Sequence, residues 1–339
     1  MKLRPVGLES WGIYIPKKRH TSDYISQETG IPKNIIEDKF GLKSKSVPGS
    51  GDHTVQMGAN ASLQALERAG ITPEDLDVII WAGEVYAERP MVVNGIKLQQ
   101  LLGNPMNSWA FDVNQRCGTF LVGILVAKSL VQTNPNINRI LVASGYRNCD
   151  LINYKNQRSR FMISLAASGV AAIIRADYKK NEILGISAIT DGRFADDVFV
   201  PAGGTIQPIT SKALEDGLNY LDVPDSEGLK DRLDKYSMDS FVKVIDNALT
   251  QSGHVREDID YLALLHMKRS AFEYVATTIG VDPYSQSTYF EEIGHNGQND
   301  SIISIEYGIR DGKINNGDIV VMVSAGIGWA WNAGVIKWG

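Results

Sequence analysis

Two stretches of this chain repeat one another, and that repetition restricts the fold more than any other feature. Residues 55–69 have helical spacing and stop at Gly70. An acidic turn, Glu74-Asp75, follows, and then the apolar run Val78-Ile79-Ile80-Trp81-Ala82. The same order returns between Val244 and Leu265. Ala65-Leu66, Gly70, Glu74-Asp75 and Asp77 recur as Ala248-Leu249, Gly253, Glu257-Asp258 and Asp260, six identities at one offset. Each copy reads as a helix, a glycine cap, a turn and a buried strand. A second echo, Ile140-Leu141-Val142-Ala143-Ser144-Gly145 against Val321-Met322-Val323-Ser324-Ala325-Gly326, lies at nearly the same offset. The expectation is an α/β protein of two related halves, 1–178 and 179–339, meeting near residues 177–182.

Composition narrows the function classes. The 339 residues are 43% apolar and 22% charged, with a formal net charge of −5. That is an ordinary globular balance. It lacks the basic footprint that nucleic-acid binding needs. The longest apolar stretch, 119–131, is broken by Gly123 and Lys128 and is too short to span a bilayer. The N-terminus has no signal-peptide core, so a soluble, cytoplasmic protein is expected. Two cysteines, Cys117 and Cys149, suggest free thiols rather than a disulfide framework. No Cys/His cluster has metal-ligand spacing, and no metal is expected.

Cys117 falls between a strand over 109–113 and a helix over 120–131. A thiol at a helix N-terminus feels the positive end of the dipole, which lowers its pKa, and Gly118 leaves room for a ligand beside the sulfur. These are the requirements of a covalent acyl carrier; a buried structural cysteine is the alternative. His266 ends the second repeat's strand, and the duplication matches that strand to the one ending at Ala82-Gly83. The segment Gly294-His295-Asn296-Gly297 precedes another helix and falls near the counterpart of Cys117. Two helix N-termini would then face each other, one with a thiol and one with amide and imidazole donors suited to an oxyanion. The alternative is a turn built from Gly and Asn. The strand exit Ser324-Ala325-Gly326-Ile327-Gly328-Trp329 can bring a backbone N–H close to the sulfur.

With these residues in place, the chain resembles the thiolase superfamily, and within it the ketoacyl synthase III type of condensing enzyme, over nearly its whole length. Gly12-Ile13-Tyr14-Ile15-Pro16 is similar to the family's opening strand. Phe40-Gly41-Leu42-Lys43-Ser44-Lys45 is similar to its Thr-Gly-Ile-Arg-x-Arg segment. Phe111-Asp112-Val113-Asn114 before Cys117, Val200-Pro201-Ala202-Gly203-Gly204 and Gly326-Ile327-Gly328-Trp329 also match. The resemblance implies a thiolase-like, five-layered αβαβα fold and a Cys-His-Asn triad. Cys117 and His266 carry over, while either Asn296 or His295 takes the asparagine's place. Met267-Lys268-Arg269 stands where the family has Gln-Ala-Asn or Gln-Pro-Asn, and Ala166-Ala167-Ser168-Gly169-Val170 replaces Gly-Asp-Gly-Ala-Gly.

A second resemblance, carried by Ser46-Val47-Pro48-Gly49, residues 166–174 and Gly83-Glu84, is to hydroxymethylglutaryl-CoA synthase. There a glutamate in the position of Glu84 is the general base; a rim carboxylate is the other reading of Glu84. What the resemblance implies is an enzyme that loads an acyl group from CoA or acyl carrier protein onto Cys117 and joins it to a second thioester. It needs no cofactor beyond those thioesters. Gly326 and Gly328 would line the site, and Lys268, Arg269, Lys43 and Arg158 would contact phosphates. A homodimer is expected. Acyl transfer to an O or N nucleophile, non-decarboxylative condensation and a non-catalytic partner subunit are the competing readings.

Overall fold

A computed structural model describes residues 3–339. Nine strands form its main sheet: β1 (Val6–Tyr14), β2 (Val78–Ala82), β3 (Trp109–Val113), β4 (Arg139–Tyr146), β5 (Ser168–Ala176), β6 (Glu182–Thr190), β7 (Ile259–Leu264), β8 (Ile319–Gly326) and β9 (Ala330–Lys337). Their order is β3-β2-β4-β5-β1-β6-β9-β8-β7. From the middle outward the two sides follow one pattern. β1 leads to β5, β4 and β2 on one side, and β6 leads to β9, β8 and β7 on the other. In each set the innermost pairs are antiparallel and the last is parallel. β3 adds a parallel edge strand beyond β2; on the far side only Ser287, bridged in parallel to Leu262, holds the equivalent place.

β1 and β6 meet at a single pair, Gly7 opposite Glu182, so the two sides are free to stack instead of lying flat. Two helices fill the space between them. α3 (Thr119–Thr133) touches β4 and β2 as well as β9 and β6, and α6 (Asp300–Arg310) touches β7 and β8 as well as β1. On the outside, α1 (Thr54–Ala69) and α2 (Asn94–Leu101) cover the first set of strands. α4 (Ser226–Ser252) and α5 (Arg269–Thr278) lie over the second. The result is five layers, α/β/α/β/α.

Side-chain alternation assigns the layers. In β2, Val78, Ile80 and Ala82 join the central core with Phe120, Ile124, Ile302 and Ile303. Ile79 and Trp81 point the other way, onto Val55, Ala59 and Ala65 of α1. β2 therefore reads as an unbroken apolar run because both its faces are covered. Full burial of each such side chain stabilises the fold by roughly 1.5–3 kcal/mol. The segment 203–230 is largely irregular, but it contains a short helix (Ser211–Glu215), and α4 begins at Ser226 within it. Asp225 accepts a hydrogen bond from the Gly228 N–H there and caps the helix.

α1 packs on β4 closely enough to require glycine. A Cβ on Gly145 would lie 1.9 Å from the Thr54 carbonyl oxygen, and one on Gly58 would lie 2.6 Å from the Trp81 ring. Gly145→Ala is expected to destabilise the protein by about 1–3 kcal/mol, because backbone and not a flexible tip must move. A urea midpoint equal to that of the unchanged protein would contradict this packing.

Candidate active site

Cys117 lies on a single 3-10 turn, Arg116–Gly118, between β3 and α3. Arg116 holds φ at +54°, a left-handed value costly for a side chain with a Cβ. Thr119 pins the turn: its Oγ1 accepts from the Gln115 N–H at 2.6 Å and donates to the Arg116 carbonyl at 2.6 Å. The glycines around the turn are required by contact. A Cβ on Gly118 would fall 2.2 Å from Asn332 Nδ2, and one on Gly326 would fall 3.1 Å from the Cys117 nitrogen. The β8 exit is thus packed against the Cys117 peptide. Gly328, two residues on, would meet nothing with a Cβ.

The thiol is buried and its Sγ donates to Glu84 Oε1 at 3.5 Å. Glu84 lies two residues past the end of β2; its side chain is 2% exposed, with Arg116 Nη1 3.4 Å from Oε2. The rim position considered for Glu84 is therefore not what the structure has. The structure also corrects the expectation of a lowered thiol pKa. Burial, the Glu84 carboxylate and the Asp300 carboxylate push the Cys117 thiol well above its usual range. A helix terminus contributes roughly 0.3–1 kcal/mol, whereas burial shifts a pKa by up to about 3–5 units, so burial wins. At neutral pH the sulfur rests as a thiol with a carboxylate acceptor beside it.

His266 lies just past β7 and is 3% exposed. Burial, with His295 and Arg269 adding to it, lowers its pKa to about 3. The imidazole is neutral throughout the physiological range. Neither ring nitrogen has a hydrogen-bond partner among the described residues. The ring is braced by Tyr289, 4.9 Å away, and stacked near Phe290 at 6.5 Å.

The segment before α6 distinguishes His295 from Asn296. Gly294 and Gly297 both take positive φ, +69° and +62°, and a Cβ on Gly297 would lie 2.3 Å from the Tyr146 ring. The His295 N–H donates to the Ser164 carbonyl, and the His295 carbonyl accepts from the Ala166 N–H. The His295 ring lies 6.1 Å from that of Tyr146, and its Nδ1 is 2.6 Å from Asp300 Oδ2. Asn296 turns the other way. Its Nδ2 donates to the Gly294 carbonyl at 3.0 Å, and its Oδ1 accepts from Ser46 Oγ at 3.3 Å. Its amide is tied up by its own loop and by Ser46, whereas the His295 ring lies beside Tyr146 and Asp300.

Two residues here were not singled out from the sequence. Asp300, fully buried, accepts from the His266 N–H, the Asn296 N–H and the His295 ring. Tyr146 ends β4 with its hydroxyl buried and unpartnered, and its pKa is raised by burial and by Cys117. Only its place as the last residue of an apolar strand, matched by duplication to Ile327, gave a signal.

The basic candidates are dispersed. Lys43 and Arg269 both pair with Glu291, each at 2.6 Å. Arg158 pairs with Asp222 at 2.6 Å. Lys268 begins α5 as its capping residue. Lys45, by contrast, is fully buried and donates to the Ile163 and Leu165 carbonyls, fixing the turn that precedes the Ala166 segment. Among the described residues no group of His, Cys, Asp and Glu is arranged to hold a metal, and no helix is long and apolar enough to cross a membrane. Cys117 and Cys149 are both free.

The thiol environment has a direct test. Glu84→Gln removes both an anion and a strong acceptor, each of which favours the protonated sulfur, so the Cys117 pKa must fall. The pH midpoint for alkylation of Cys117 by iodoacetamide is expected to move down by a unit or more, on the order of 1.4 kcal/mol. An unchanged or raised midpoint would refute the assignment.

Comparison with known families completes the site. Residues 111–192 match the model for 3-oxoacyl-[acyl-carrier-protein (ACP)] synthase III, and residues 249–338 match the model for that family's C-terminal part. The β-ketoacyl-[acyl-carrier-protein] synthase III of Symbiobacterium thermophilum is 24% identical over 343 residues, covering 100% of both chains. The enzyme of the same name from Caldanaerobacter subterraneus subsp. tengcongensis is 27% identical, covering 98% of this chain and 97% of its own. The crystal structure of 3-oxoacyl-[acyl-carrier-protein] synthase III from Aquifex aeolicus VF5 superposes with a TM-score of 0.85 at 17% identity, covering 98% of this chain and 100% of that one. Matched on both sides of its sheet and along its full length, the chain belongs to the 3-oxoacyl-[acyl-carrier-protein] synthase III family.

Proposed function

We propose that this protein is an acyl-thioester condensing enzyme that carries its first acyl group on Cys117. The observation that supports this best is the thiol itself. It lies at the start of a helix, 3.5 Å from a buried carboxylate, with Gly326 of β8 packed on its peptide. In the first half-reaction Glu84 takes the thiol proton as the sulfur attacks an acyl-CoA or acyl-carrier-protein thioester. The Cys117 N–H and the backbone of the Gly326–Gly328 exit face the developing oxyanion. The proton then passes to the leaving thiolate. General-base help of this kind contributes about 10²–10⁴-fold. In the second half-reaction a carbon nucleophile attacks the acyl-cysteine, and the neutral His266 donates to the oxygen of the second thioester.

The halves 1–178 and 179–339 serve different steps in this reading, the first supplying Cys117 and Glu84 and the second His266 and His295. Glu84 also favours a second reading, in which condensation proceeds by proton abstraction, like that of a hydroxymethylglutaryl-CoA synthase, without loss of carbon dioxide. The two free thiols suit a reducing, cytoplasmic setting. A homodimer is proposed along β3, the sheet's edge, where Trp109 is 52% exposed and stacked on Phe111 at 4.9 Å. Trp109→Asp is then expected to convert a species of twice the chain mass to monomer in light scattering. An unchanged mass would remove β3 from the interface.

Incubation with a panel of acyl-CoAs is expected to add one acyl mass to the intact protein and none to Cys117→Ala. No adduct with any donor would favour a non-catalytic subunit. With labelled malonyl and acetyl donors, carbon dioxide release marks decarboxylative condensation. Product formed without it marks the proton-abstraction route.

A further inference from the structure

We infer that Asp300 fixes His295 as the proton acceptor of the condensation, so that the second substrate is an acyl thioester with an α C–H bond and no carboxylate to lose. This rests on the condensing function above and deepens it. The argument begins with what a carboxylate can do. It only accepts hydrogen bonds, so the 2.6 Å contact between Asp300 Oδ2 and His295 Nδ1 places the proton on Nδ1. With the proton on Nδ1, the ring's lone pair is at Nε2, which has no hydrogen-bond partner among the described residues. A side-chain amide in this place could point N–H groups at a substrate oxygen. His295, held this way, offers a base instead.

The other groups nearby are committed elsewhere. Glu84, the competing candidate for this role, is turned toward the Cys117 sulfur with one oxygen and toward Arg116 with the other. Asp300 has both oxygens covered, Oδ1 by the Asn296 N–H and Oδ2 by the His266 N–H and the His295 ring. The Asn296 amide is spent on its own loop. His266 is buried among apolar rings without a carboxylate on its side chain, which makes it a poor proton acceptor and a suitable neutral donor. Asp300 also carries the His266 peptide, so one buried carboxylate sets the positions of both imidazoles. It acts through His295 and is a positioning residue.

The step balances without a further reactant. Nε2 of His295 takes the α-proton, and the C–H electron pair becomes the enolate, whose oxygen His266 holds. The α-carbon attacks the acyl carbon of the Cys117 thioester; a C–C bond forms and the C–S bond breaks. The sulfur leaves as thiolate and recovers the proton from Nε2. The product is a 3-oxoacyl thioester, and no carbon dioxide is released.

The test is α-hydrogen exchange on acetyl-CoA in deuterated water, followed by the mass of the acetyl group, with Cys117 acylation read on the same samples. The wild-type protein is expected to incorporate deuterium. His295→Asn and Asp300→Asn are expected to lower incorporation at least a hundredfold relative to acylation. Exchange at the wild-type rate in His295→Asn, or wild-type protein that acylates Cys117 yet exchanges nothing, would overturn the proposal. Exchange without acylation of Cys117 would uphold the base and refute the acyl carrier, so the two claims fail separately. Should Asp300→Asn not fold, 15N NMR of histidine-labelled wild-type protein decides its role: a protonated Nδ1 and bare Nε2 on His295 are expected, and the opposite tautomer would refute it.

Discussion

A buried carboxylate with three N–H donors organises this site. Asp300 lies in the first turn of α6, between the two sheets, fully removed from solvent. An unpaired charge there would cost several kcal/mol. The cost is offset by N–H groups that come from three places, the end of β7, the loop before α6 and an imidazole. Meeting that demand brings His266 and His295 into fixed relation. It also puts negative charge near Cys117, and that charge helps keep the sulfur a thiol until a base acts on it.

The two helix N-termini of the central layer carry unlike chemistry on like scaffolds. α3 begins beside a thiol, with a strained Arg116 and a clamping Thr119 before it. α6 begins beside an imidazole-carboxylate pair. Both helices are packed between sheets rather than exposed, so polar groups at their ends are desolvated. Their hydrogen bonds matter more there than at a surface. The same burial keeps His266 neutral and raises the Cys117 pKa, opposite charge states disfavoured by one cause.

Much of the frame could be read from the chain. The repeat around Gly70 and Gly253 marked matching helix ends, and both glycines close their helices with left-handed φ, +66° and +74°. The apolar runs of β2 and β8 were visible because both faces of each strand are buried. Glu84, His266 and His295 were visible as residues, but their partners were not. Whether Asn296 or His295 faces the site depends on two positive-φ glycines and on the bridge to Leu165, which spacing does not encode. Asp300 looked like an ordinary first-turn acid, and its long-range role appears only when β7 is brought beside α6. The helix start at Cys117 is legible in the sequence and points to a lowered thiol pKa, but the depth of burial that reverses it is not.

The central claim is that Cys117 carries the acyl group with its oxygen facing the Cys117 N–H and the β8 exit. A crystal structure after soaking with an acyl-CoA tests it most directly. Continuous density from the Cys117 sulfur to an acyl carbon, with the oxygen within hydrogen-bond distance of the Cys117 N–H, is the expected result. Acyl density on another residue, or intact acyl-CoA lying beside an unmodified sulfur, would contradict it.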